Sequence, residues 1–272
     1  MRLRRSHGLG NDYLVLESGP PLTPALVRAL CDRHRGVGSD GVLEPLDPPL
    51  GADAAVRIWN PDGSVAERSG NGLRIFAEWL VSRRGLPVRH VIATGGDLVP
   101  CEVDGHEVVV DMGLATVGPM LTLDLGVTGR VVRVGNPHFV VPTADLDDGA
   151  WRAIGAAVER HAAFPDRTNV QFARTVARDT LEIRIWERGA GETAASGSSS
   201  CAAAAAAWAA GELDPGWVTV HMPGGTLRVE VLPGPAGPRL RLDGPVEPVA
   251  TIDVDPRWIR ARGEEDHDGP VP

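Results

Sequence analysis

An α/β fold of the α+β type, in two similar halves each made of an antiparallel-rich sheet or barrel around one long helix, is what this chain predicts. Three observations carry that expectation: short apolar runs alternate with a few amphipathic segments, glycine and proline punctuate nearly every run, and the order of elements in the first half recurs in the second. With 272 residues, 43% of them hydrophobic, the chain is long enough to give each half its own core.

Tyr13 to Leu16 reads as a strand. Thr23 to Arg33 follows as an amphipathic helix, with Thr23 as N-cap, Pro24 in the first turn and Gly36 as its stop. Ala55 to Trp59 is a strand that runs into the turn formers Asn60, Pro61, Asp62 and Gly63. Leu73, Phe76, Ala77 and Leu80 share one face of a helix over 73–82. Strands over 88–93, 99–103 and 108–112 complete the first half, the last two joined by a hairpin turn at Asp104 and Gly105. In the second half, strands over 131–134 and 139–141 precede a helix over 149–161, and strands over 170–173 and 181–186 precede an alanine-rich helix ending near Gly211. A last hairpin joins 217–222 to 227–231 around Pro223, Gly224 and Gly225. The boundary falls between Gly113 and Met120, which gives domains 1–116 and 117–260, the last strand free to return to the first domain, and a flexible tail over 261–272.

The net charge of -9 argues against nucleic acid and anionic membrane as partners, because neutralising phosphates needs a clustered basic surface. No apolar run approaches the ~20 residues of a membrane span, and polar residues follow Arg2, Arg4 and Arg5 where a signal peptide would be apolar. The expectation is a cytoplasmic protein. Cys31, Cys101 and Cys201 lack both pairing arithmetic and metal-ligand spacing with the eight histidines, and read as buried thiols. The sequence has no lysine, so it has no amine for an internal Schiff base, which excludes ordinary pyridoxal-phosphate catalysis. No metal and no organic cofactor is expected.

In both halves a strand ends in polar turn residues and a small polar segment then opens a helix: Ser69, Gly70, Asn71, Gly72 in one, Ser196, Gly197, Ser198, Ser199 in the other. A helix N-terminus offers unpaired N–H groups and a positive dipole end, so each segment suits a carboxylate. On helix geometry alone, Ser69 and Ser196 read equally well as ordinary N-caps. Asn11, Asn60, Asn71, Asn136 and Asn169, with Glu187 and Arg188, add amides and charges near strand ends that have no packing role, and suggest a polar pocket for carboxylate and ammonium groups. Two rival motifs are weaker. Gly36, Gly38, Gly41 and Gly189, Gly191, Ala194 spell dinucleotide fingerprints, but the first leads into a strand and the second lacks a following parallel unit with an acidic end. A serine hydrolase using His138 as base fails because neither serine sits in a GxSxG elbow.

HGLGNDY, RHRGVGSDG, NPDGS followed by SGNGLRIFA, GNPHFV, RTNVQF, ERGAGET and HMPGG resemble, in order and spacing over nearly the whole chain, the diaminopimelate epimerase family. The resemblance implies two pseudo-symmetric domains that close over a free amino acid in the cleft between them, cofactor-independent interconversion of LL- and meso-2,6-diaminopimelate, and a homodimer. It implies that Asn11, Asn60, Asn136, Asn169, Glu187 and Arg188 hold the two amino-acid ends of the substrate, and that Gly70, Asn71, Gly197 and Ser198 hold the reacting carboxylate at the helix starts. The family's two proton-transfer cysteines align with Ser69 and Ser196. A hydroxyl is a far weaker acid than a thiol, and each unit of pKa costs roughly 1.4 kcal/mol in making the base. Three readings stay open: an epimerase working slowly or with help from a neighbouring base, a serine variant that racemises or dehydrates another amino acid as in the fold-related proline-racemase group, and a ligand binder without turnover.

Overall fold

The computed structural model describes residues 1–146 and 149–263. The chain divides into two compact units, residues 1–108 with 246–272, and residues 109–245. In the first lie β1 (Arg2–Gly8), β2 (Asn11–Ser18), α1 (Pro24–Cys31), β3 (Val42–Leu46), β4 (Ala54–Trp59), α2 (Gly70–Arg84), β5 (Arg89–Thr94) and β6 (Asp97–Asp104). β7 (Glu107–Leu114) runs from the last two residues of the first segment into the second unit. It continues with β8 (Thr116–Thr122), β9 (Thr128–Val134), β10 (Asn136–Pro142), α3 (Trp151–Glu159), β11 (Asn169–Ala177), β12 (Thr180–Glu187), β13 (Gly191–Thr193), α4 (Gly197–Ala209), β14 (Gly216–Met222), β15 (Gly225–Leu232) and β16 (Arg239–Pro245). β17 (Glu247–Asp253) and α5 (Pro256–Gly263) belong to the first unit, where β17 pairs antiparallel with β1.

One pairing order is used twice. β1 to β6 pair in succession as antiparallel, parallel, antiparallel, parallel, antiparallel, with α1 between β2 and β3 and α2 between β4 and β5. β9, β10, β11, β12, β14 and β15 follow the same order, with α3 and α4 in the corresponding connections. Register makes the correspondence residue by residue. Leu14 pairs with Val42 and Val42 with Trp59; Phe139 pairs with Val170 and Val170 with Trp186. Tyr13 and His138 therefore hold equivalent positions, and so do Asn60 and Glu187.

Each unit has a buried central helix. In α2 every residue from Gly70 to Leu80 is buried, including Arg74 and Glu78. In α4 burial is met by size: Cys201 and Ala202 to Ala205 are fully buried, and their short side chains let strands β9 to β12 and β14 to β16 come close to the helix backbone. A separate apolar cluster in the first unit joins Leu3, Leu14, Leu26, Leu30 and Trp59, and one in the second joins Phe139, Trp151, Val158, Val170 and Phe172.

The tail expected over 261–272 needs correction where it is described: residues 256–263 are helical, and Trp258 packs on the first unit's apolar cluster. Residues 264–272 lie outside the described residues. The three cysteines are buried thiols, as read from sequence. Burial, with Asp12 and Asp40 adding, pushes the Cys31 thiol up to about 12, which leaves it unreactive.

Candidate active site

In the first unit, Ser69 is the N-cap of α2 and its Oγ accepts from the Gly72 N–H at 3.0 Å. The first intrahelical bond runs from Leu73 N to Ser69 O at 2.9 Å, so the N–H groups of Gly70 and Asn71 come before the ladder begins. The Ser69 hydroxyl also lies 3.0 Å from the hydroxyl of Tyr13, the one tyrosine in the chain. Gly41 makes room for that ring: a Cβ there would meet Trp59 O at 2.4 Å and Tyr13 Cε1 at 2.6 Å. An amide chain fixes the neighbouring side chains. Arg74 donates to Asn71 Oδ1 (2.7 Å), Asn71 Nδ2 to Asn11 Oδ1 (3.0 Å), and Asn11 Nδ2 to Asp40 Oδ2 (2.9 Å). Arg33 then bridges Asp40 and Asp12 at 2.6 and 2.8 Å. Asn60 stands apart from this chain, engaged in its own turn: it donates through Nδ2 to Ser64 Oγ and through its N–H to Ser64 O, both at 2.9 Å.

In the second unit, Ser196 is the N-cap of α4 but its side chain makes no cap hydrogen bond. The ladder begins with Ser200 N to Ser196 O at 3.1 Å, so Gly197, Ser198 and Ser199 all present N–H groups ahead of it. The following serines anchor the helix start. Ser200 donates to Ser196 O at 2.9 Å, and Ser199 Oγ accepts from Gln171 Nε2 at 2.9 Å. Asn169 holds the strand ends in place, donating to Pro137 O (2.9 Å) while its Oδ1 accepts from the Arg188 N–H (3.0 Å). His138 is fully buried with Nε2 2.8 Å from Asn136 Oδ1. Burial pushes its pKa down to about 3, against a side-chain hydrogen bond to Gln171 and with the Arg188 charge, so the imidazole is neutral across the physiological range.

Sequence reasoning did not single out Glu159, which builds the turn carrying Arg188. Its buried carboxylate accepts from Gly189 N at 2.7 Å and Trp186 Nε1 at 3.1 Å, and pairs with Arg167 at 3.1 Å. Burial alone would raise its pKa; the Gly189 and Trp186 hydrogen bonds and the charges of Arg167 and Arg160 outweigh that and hold it below its ordinary 4.5. A carboxyl whose folded pKa is depressed contributes stability that is complete above its unfolded value and fades as pH falls through the folded one. Glu159→Ala removes the charged acceptor of two half-buried donors and should cost about 2 kcal/mol in chemical denaturation at pH 7. The difference from wild type should shrink as pH falls below 4.5. Among the described residues no cluster of His, Cys, Asp and Glu could hold a metal ion, and no helix is long and apolar enough to cross a membrane.

The family model described as diaminopimelate epimerase matches residues 4–118 and 130–234, which include both helix starts and the strand ends around them. The chain belongs to the diaminopimelate epimerase family. "Diaminopimelate epimerase 2" of Nostoc sp. is 40% identical over 253 residues, covering 85% of this chain and 88% of that protein. The diaminopimelate epimerase of Desulforudis audaxviator is 38% identical over 287 residues, covering 96% and 100%. Among solved structures, a phenazine biosynthesis protein of the PhzF family from Bacillus anthracis superposes with a TM-score of 0.73 at 14% identity, over 93% of this chain and 98% of that one. A hydroxyproline epimerase from Agrobacterium vitis, with bound trans-4-OH-L-proline, gives 0.68 at 17% identity over 95% and 93%. At those identities the two structures speak for the fold. For this member of the diaminopimelate epimerase family, the first unit joins Asn11, Asn71 and Ser69's helix start in one bonded set, and the second joins Asn169 to Arg188 and Asn136 to His138.

Proposed function

We propose that the protein is a cofactor-independent isomerase that epimerises a free amino acid at Cα, with LL- and meso-2,6-diaminopimelate as the interconverted pair. The observation that carries this reading is the paired helix starts: in each unit a serine caps and a glycine opens a buried helix whose first N–H groups lie ahead of the hydrogen-bond ladder. Such donors stabilise the charge that builds on a carboxylate as its Cα proton leaves, which a cofactor would otherwise absorb.

On this reading Ser69 and Ser196 are the proton-transfer groups for the two faces of Cα. Gly70, Asn71, Gly197 and Ser198 hold the reacting carboxylate. Asn11, Asn60, Asn136, Asn169, Glu187 and Arg188 hold the remaining ammonium and carboxylate groups, Arg188 through the planar fork that suits a carboxylate. Relatives named diaminopimelate epimerase at 38–40% identity over most of the chain support the substrate. Three buried thiols outside any disulfide accord with a reducing compartment, and we assign the enzyme to the cytoplasm, working as a homodimer.

The test is incubation of the purified protein with LL-diaminopimelate in deuterated water. Deuterium at Cα and the appearance of the meso form are expected; neither appearing over hours would sink the reading. A thermal shift with diaminopimelate but no exchange would favour a binder without turnover. Exchange into a different amino acid would favour the serine-variant alternative.

A further inference from the structure

We infer that Tyr13 is a positioning residue that holds the proton of Ser69, so that the base on that face of the substrate is a phenolate acting through the serine hydroxyl. The inference rests on the epimerase reading above and goes beyond its pair of isolated serines. Its ground is geometric. The Tyr13 and Ser69 hydroxyls are 3.0 Å apart, the ring is buried, and the absence of a side chain at Gly41 makes room for it. Ser69 Oγ already accepts from the Gly72 N–H, so its own proton is free to point at the phenol oxygen.

The two units differ at this point. The residue equivalent to Tyr13 in the second unit is His138, whose Nε2 lies against Asn136, and the Ser196 hydroxyl makes no hydrogen bond among the described residues. A proton-holding partner is thus built beside one serine and not beside the other.

The step balances without any co-reactant. The phenol first gives its proton to solvent. As the substrate Cα–H bond breaks, its proton passes to Ser69 Oγ, the serine's own proton passes to the phenolate oxygen, and the electron pair stays on the substrate as an ene-diolate held by the helix-start N–H groups. The charge of minus one moves from tyrosine to substrate, and serine begins and ends as a hydroxyl. Phenols ionise near pH 10, several units below an aliphatic hydroxyl, so the route avoids a free alkoxide. Because the same pair can return the proton to the same face, deuterium uptake should outrun inversion for one of the two stereoisomers.

A chain with a single tyrosine allows a direct test, since absorbance near 295 nm then reports the ionisation of Tyr13 alone. In the Ser69→Ala variant the tyrosinate loses a donor, and the titration midpoint should rise by about 0.5–1 unit. An unchanged midpoint overturns the proposal. Tyr13→Phe keeps the ring in its niche, so its melting temperature should stay near wild type. Its Cα exchange should fall about 100-fold with the diaminopimelate-induced thermal shift kept, and the alkaline rise of the wild-type rate should disappear. In a Ser69→Cys background, where a thiolate needs no phenol, adding Tyr13→Phe should change exchange less than 3-fold. Exchange within 3-fold of wild type for Tyr13→Phe, with the same pH profile, overturns the proposal. If the wild type is inert toward diaminopimelate while the midpoint shift is present, the epimerase reading fails and the Tyr13–Ser69 coupling stands.

Discussion

Replacing Ser69 and Ser196 together by cysteine is expected to raise the rate of Cα exchange with diaminopimelate by about 10²–10⁴-fold at pH 8. A free thiol ionises near 8.5 and a helix N-terminus lowers that further, whereas a hydroxyl is weaker by at least about four units. Four units set the upper figure, at roughly 1.4 kcal/mol each. The lower figure allows for reactivity that grows more slowly than acidity, and for help that Tyr13 already gives one serine. Stability should separate the two sites. Ser69 caps α2 through Gly72, and sulfur is a poor acceptor, so Ser69→Cys should cost about 1 kcal/mol, a fall in Tm of about 2–4 °C. Ser196 makes no cap bond, so Ser196→Cys should melt close to wild type. Deuterium uptake and thermal melts on both single variants and the double read all of this. A double variant no faster than wild type would remove these two residues from proton transfer.

Gly41→Ala should damage the first unit through a single added methyl. The added Cβ would lie 2.4 Å from the Trp59 carbonyl oxygen, which belongs to a paired strand and cannot swing away, and 2.6 Å from the Tyr13 ring. Overpacking at a buried site costs about 1–3 kcal/mol, a fall in Tm of about 2–12 °C. Activity measured well below the new Tm should fall further than stability, because the ring that must yield carries the hydroxyl beside Ser69. Glycine at this position thus serves a close approach, not a turn. Its place in an apparent dinucleotide fingerprint is incidental: the run from Gly36 to Gly41 is the connection between α1 and β3.

The strands and helices with clean periodicity were legible in the sequence. α1 begins after Thr23 with Pro24 in its first turn, and the alanine run is helical up to the turn at Gly211. The strands that periodicity missed are edge-like or charged. β1 reads RLRRSHG, and only Leu3, Ser6 and Gly8 of it are buried, so its arginines hide the alternation. β8 and β17 carry glycine or proline and no buried residue, and in β16 two buried leucines alternating with arginines run straight into Asp243, Gly244 and Pro245. The candidate site was legible as a list of residue types at strand ends. Its bonded partners were not: Tyr13, Asp40, Arg33 and Glu159 reach it across 21 to 56 positions of sequence, and only the β register sets such distances. Asn60 shows the converse, a residue whose turn chemistry was as visible as its candidate role.

The buried alanines of α4 constrain how this chain can drift. Each position from Cys201 to Ala207 is buried, so a larger side chain overpacks the core, and glycine would cost about 1 kcal/mol in helix propensity. Neighbouring strands cannot compensate by repacking against side chains that are only methyl groups. The segment with the plainest composition in the molecule is therefore one with little freedom to change.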